Sequence, residues 1–213
     1  MGINDYRFTT RWLVPGAPRE VADVLENPLD LPRWWPAVYL SARELEPPNP
    51  SGTGRVVALH TRGWLPYTLR WTLRVTDSFG PAGFAFTASG DFEGHGRWNF
   101  APSGLWTDVV FDWEITVHKP LLRVLAPLLR PSLAANHRWA MRRGEESLRL
   151  ELERRRAPSD WERANVPAPA GPASSGWILL GTAAAISLVA ASLGLAARSR
   201  PRSWRDRVAR LAS

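Results

Sequence analysis

The chain contains no cysteine, which excludes disulfides, thiolate zinc sites and cysteine nucleophiles together. Its four histidines, at 60, 95, 118 and 137, fall in no HExxH or comparable ligand spacing, so no metal is expected. A Gly-x-Ser-x-Gly nucleophile elbow is missing. Gly94-x-Gly96 lacks the third glycine and the strand-to-helix setting of a nucleotide-binding loop. No cofactor follows from the sequence, and no motif assigns a catalytic residue. The N-terminal MGINDYRF lacks the basic region and apolar run of a secretory signal. Tyr6 stands where a myristoylation motif needs Ser or Thr.

The 213 residues suffice for one sizeable domain with an addition. A content of 45% hydrophobic and 22% charged residues is that of a folded domain. The net charge of +7 is carried almost entirely by Arg. Such a balance attracts an anionic membrane surface or nucleic acid, or reflects composition alone. The twelve tryptophans follow no repeat. They suit a wide aromatic-lined cavity and equally a bulky core.

Patterning supplies the elements. Residues 6–14 alternate as a first strand, broken by Pro15-Gly16. Pro18 opens a short helix with Val21, Val24 and Leu25 on one face, stopped at Asn27-Pro28, and residues 31–35 form a second helical piece. Strands follow over 38–45, 55–62 and 67–76; in the last of these Tyr67, Leu69, Trp71, Leu73 and Val75 share a face. Residues 84–89 and 92–100 form strands joined around Gly90-Asp91, and 106–118 a long final strand with Val109, Phe111, Trp113, Ile115 and Val117 on one side. Pro131-Ser132 then predicts a helix start. From Leu133, residues His137, Ala140, Met141, Gly144, Leu148 and Leu152 recur at spacings of three and four, one apolar stripe on one long helix. Sequential strands closed by one long helix define an α+β layer pair.

Several stretches carry a family resemblance: Ala17-Pro18-Arg19-Glu20-Val21, Leu31-Pro32-Arg33-Trp34-Trp35-Pro36, residues 90–98, Phe111-Asp112-Trp113-Glu114, and residues 136–141 with Gly144-Glu145. In this order they resemble the START-like (SRPBCC) superfamily, nearest its polyketide cyclase/dehydrase and lipid-transport branch, over about residues 5 to 156. The resemblance implies a helix-grip (START/Bet v 1-like) fold, a curved antiparallel sheet around a long C-terminal helix. It also implies a deep apolar cavity holding a lipid, a polyketide or a similar hydrophobic small molecule. The fold hosts binders and enzymes alike.

Within that frame Trp71, Trp98, Trp113 and Met141 are the expected lining. His137 falls on the apolar stripe, as a ligand contact or as a buried histidine bonded to nearby backbone. Gly144 is expected to leave room where a ligand approaches, and Asn136 and Tyr67 to meet a ligand's polar end. Access is expected through loops near Trp34-Trp35 and residues 63–66. Glu93, His95 and Arg97 share a face and could join Asp112 or Glu114, as an acid-base group in the pocket or as a solvent-facing charge ladder. Three functions compete: a membrane-tethered carrier of a hydrophobic ligand, a cyclase or dehydratase, and a membrane-anchored interaction module.

The expected domain spans 1–156, followed by a Pro/Ala-rich linker over 157–175, a membrane helix over 176–198 and an Arg-rich tail over 199–213. The uncharged run from Trp177 to Ala197 would span about 31 Å as a helix, matching a bilayer core of roughly 30 Å. Positive-inside places the tail in the cytoplasm, and so, without a signal, does the domain. A single span cannot satisfy both. A helix that dips in without crossing, with Trp204, Val208 and Leu211 on the surface, satisfies both. Membrane and small molecule are thus the expected partners; nucleic acid is not, and nothing indicates an oligomeric state.

Overall fold

The computed structural model describes residues 5–117 and 126–173. Contacts divide the chain into units 1–173 and 174–213, and every described residue belongs to the first. The expected membrane segment from Trp177 to Ala197 lies outside the described residues. Among the described residues no helix is long and apolar enough to cross a membrane.

Strand β1 (Asp5–Pro15) leads into helix α1 (Pro18–Leu25), a 3-10 turn (Pro28–Asp30) and helix α2 (Leu31–Trp34). Six strands follow: β2 (Tyr39–Glu46), β3 (Val56–Arg62), β4 (Thr68–Ser78), β5 (Gly83–Gly90), β6 (Phe92–Ser103) and β7 (Trp106–Val117). Helix α3 (Ala126–Arg156) and the short α4 (Asp160–Asn165) complete the unit. The sheet has seven strands in the order β1-β7-β6-β5-β4-β3-β2. Every neighbouring pair is antiparallel. Among the described residues the one non-sequential pairing joins β1 to β7, from Asp5 opposite Thr116 to Pro15 opposite Trp106. The pairing register shifts in β2 and β4, irregularities of the kind that let a sheet bend around what it covers.

Alternation decides the faces. Phe92, Gly96, Trp98 and Phe100 of β6 are buried together with Val109, Phe111 and Trp113 of β7. Gly96 is required by close approach, since a Cβ there would strike the ring of Phe86.

Two features differ from expectation, the first being helix α4, capped by Ser159, which lies inside the linker expected over 157–175. Helix α3 begins at Ala126, and Pro131 lies inside it. Pro131, in the second turn, removes the bond to the carbonyl of residue 127 and crowds it, yet the helix runs through it. The stripe also contains more than the apolar residues, because Ser147 and Glu151 are as buried as Leu148 and Leu152.

Glu151 is the centre of a clasp. Arg33 of α2 donates to both its oxygens at 2.8 and 2.7 Å, Arg155 at 2.8 Å and Arg154 at 3.1 Å. Burial pushes the carboxyl pKa up, but these guanidinium hydrogen bonds outweigh it and hold the value down to about 2. Arg156 completes the end of the helix by donating to both oxygens of Glu20 and to the Pro15 carbonyl. The C-terminal half of α3 is therefore fixed to α1, α2 and β1.

Candidate ligand cavity

Beneath the other half of α3 the two layers do not meet flush. They leave a partly open cavity of about 200 Å³ between them. Leu133, Asn136, His137, Ala140 and Met141 of α3 line it, whereas Leu148 and Leu152 do not.

Trp71, Trp98 and Trp113 stand on the cavity wall, as their inward register requires. They are locked against other rings. Trp98 stacks on Phe111 with centroids 4.1 Å apart, Trp71 packs on Phe92 at 5.1 Å and Trp113 on Phe86 at 5.5 Å. Trp71 also donates its indole N–H to Thr61 Oγ1 at 3.2 Å, which satisfies its polar atom without a ligand.

His137 lines the cavity with its ring stacked on Phe8, centroids 4.1 Å apart. Its Nε2 lies 3.3 Å from Thr10 Oγ1, so its partner is a β1 hydroxyl rather than backbone. Burial, aided by the Arg138 charge, brings its pKa down to about 4. The ring is neutral at neutral pH.

Gly144 is not on the cavity wall. A Cβ there would strike the indole of Trp35, so the room the glycine leaves is filled by that ring and not by a ligand. Asn136 lines the cavity, but its Oδ1 accepts from the backbone N–H of Trp64 at 2.9 Å and of Leu65 at 3.4 Å. It ties the 63–66 connection to α3 instead of presenting that oxygen to a ligand. Tyr67 is on the wall, where burial and then Tyr6 push its hydroxyl pKa up to about 12. Trp34, named with the expected access route, is fully buried and belongs to the core.

Glu93, His95 and Arg97 point to solvent. Their register sets His95 opposite Glu114 and Arg97 opposite Asp112. His95 Nε2 lies 3.4 Å from Glu114, which also pairs with Arg7 at 2.6 Å. These groups are a charge ladder on the outer sheet face, away from the cavity. Among the described residues no group of three His, Asp or Glu side chains could hold a metal ion.

The sequence reading missed Glu26. It follows α1, lines the cavity, and has an Oε1 atom that is shielded from solvent without a hydrogen-bond partner. Burial, followed by the Asp23 charge, pushes its pKa up. Its signal is periodicity, since Glu26 falls four residues after Ala22 and one after Leu25, on the buried side of a short helix.

A sheet gripping a helix around an aromatic-walled hollow defines the helix-grip class of hydrophobic-ligand-binding domains. The model of the family described as "Polyketide cyclase / dehydrase and lipid transport" matches residues 6–153, and the chain belongs to that family. The fold is shared with the Zhui aromatase/cyclase of Streptomyces sp. R1128, at 20% identity and a TM-score of 0.59 over 72% of this chain and 97% of that one. A protein of Thermus thermophilus is similar at 18% identity and a TM-score of 0.55, covering 67% and 97% of the two chains. A START superfamily protein of Mycobacterium smegmatis is similar at 15% identity and a TM-score of 0.50, covering 69% and 97%. None of the curated proteins matches the chain in sequence.

Proposed function

We propose that this protein holds a hydrophobic small molecule, lipid-like or polyketide-like, in the cavity under α3, and that the run from Trp177 to Ala197 tethers it to a membrane. The observation that carries the first part is the cavity itself: about 200 Å³ walled mainly by aromatic and aliphatic side chains that are already packed on one another. Enclosure of an apolar guest is the mechanism, because burying apolar surface yields about 25 cal/mol per Å². The tether is supported by length and absence of charge alone.

Binding without turnover fits the polar groups better than catalysis does. The acid-base candidates at 93, 95 and 97 face solvent. A histidine of pKa about 4 is poorly matched to proton transfer near neutral pH. A cyclase or dehydratase remains the second reading, supported by the family and by the titratable groups Glu26 and His137 on the cavity wall. An interaction module with a collapsed interior is disfavoured by the hollow.

The test is extraction of the full chain from its host membranes, followed by mass spectrometry of co-purifying small molecules. An apolar compound is expected to be retained by the native protein and lost when Ala140→Trp fills the cavity. Equal recovery from both proteins, or recovery from neither, would count against the binding reading. A full chain found wholly in the soluble fraction would overturn the tether.

A further inference from the structure

We propose that the cavity has a hydrogen-bonding end at Glu26 that selects an apolar ligand carrying a neutral hydroxyl. This rests on the cavity being the ligand site and specifies what the ligand must present. Buried polar atoms are nearly always paired, and an unpaired one costs stability unless something completes it. Glu26 Oε1 and Trp35 Nε1, on residues lining this one cavity, are both shielded from solvent and lack a partner. One is an acceptor and the other a donor. A hydroxyl is the small group that both donates and accepts.

The surroundings argue against a charged ligand group. Asp23 and Arg19, which influence Glu26, are paired with each other at 3.1 Å on the exposed side of α1. Arg19, the cation of this helix whose charge draws the Glu26 pKa down, is thus already engaged by Asp23. An anionic head would meet a carboxyl that burial already makes costly to ionise. The other charged side chain on the cavity wall is Arg62, at the end of β3, where it already has an interaction of its own. A cationic amine would need Glu26 ionised in an apolar setting, whereas a hydroxyl pairs with the carboxyl in either protonation state.

The experiment titrates the full chain in phosphatidylcholine nanodiscs with 1-decanol, methyl decyl ether, decanoate and decylamine, reading tryptophan fluorescence. Each ligand's partition into lipid is measured on protein-free nanodiscs and subtracted before affinities are compared between ligands and between proteins. Wild type is expected to bind decanol about tenfold more tightly than the ether, the effect of one net hydrogen bond. Glu26→Leu is expected to abolish that preference while still binding the ether, and Glu26→Gln, which keeps an acceptor oxygen, to retain part of it. Preference for decanoate or decylamine, or a decanol preference that survives Glu26→Leu, would overturn the subsite and leave the cavity reading standing. If none of the four compounds bound wild type, the cavity reading itself would fall. Should Glu26→Leu not fold, the wild-type comparison and Glu26→Gln still decide.

Discussion

Replacing Glu151 by Gln keeps its size and removes its charge. In the native protein this carboxylate is 2% exposed and serves three guanidiniums, from Arg33, Arg154 and Arg155. Its pKa of about 2, against an ordinary 4.5, corresponds to about 3 kcal/mol of preferential stabilisation of the ionised form. Breaking a buried pair from one side costs about 3–5 kcal/mol. The arginines here keep 21 to 50% of their side chains in water and re-solvate, which favours the lower end. For a unit of this size a loss of about 3 kcal/mol lowers Tm by roughly 6–12 °C. The sign with pH follows from a depressed carboxylate. The contribution is complete above pH 4.5 and is lost as pH falls towards 2. Denaturant unfolding of the full chain, followed by tryptophan fluorescence at several pH values, should therefore show a gap between wild type and Glu151→Gln at pH 7 that closes below pH 4.5. A gap under about 0.5 kcal/mol at pH 7, the ordinary range of a surface substitution, would refute the clasp. So would a gap that does not change with pH.

Two further outcomes are expected. His137 binds protons less readily folded than unfolded, so its contribution is complete above pH 6.5 and falls away as pH drops towards 4. His137→Phe, which can preserve the stack on Phe8, should flatten the loss of Tm between pH 7 and pH 5; an unchanged slope in thermal melts would contradict the assignment. Gly144→Ala places a methyl against the Trp35 indole. Overpacking of about 1–3 kcal/mol should outweigh the gain of about 1 kcal/mol from replacing a helical glycine, and a raised Tm would show that the ring yields freely.

The layer architecture was legible because strand alternation and helical spacing are both written in apolar residues. Tyr67 through Val75 and Val109 through Ile115 named their inward faces correctly, and with them the positions of Trp71 and Trp113. What patterning could not supply is distance across the fold. Gly144 looks the same in sequence whether its missing side chain admits a ligand or the ring of Trp35, more than a hundred residues earlier. Glu151 and Arg33 are likewise ordinary surface residue types until a crossing of α3 over α2 brings them together. Glu26 was overlooked because a single carboxylate on a short apolar face resembles an exposed helix end. Its spacing of four from the buried Ala22 is its hint in the sequence, and its shielded, unpartnered oxygen is visible only in the structure.

The hollow is energetically informative in its own right. Apolar wall left facing such a space forgoes about 25 cal/mol for each Å² that closer packing would bury. Collapse would recover it, but two features oppose collapse. The C-terminal half of α3 is held to α1 and α2 by the Glu20 and Glu151 clasps and to β1 by Arg156 and Arg149, which donate to the Pro15 and Leu13 carbonyls. The wall rings are also engaged with one another and cannot swing inward without losing stacks such as Trp98 on Phe111. A guest that fills the space recovers the forgone energy without moving either. The same helix thus serves as clamp at one end and as roof at the other, and the rigidity of the clamp is what keeps the roof raised.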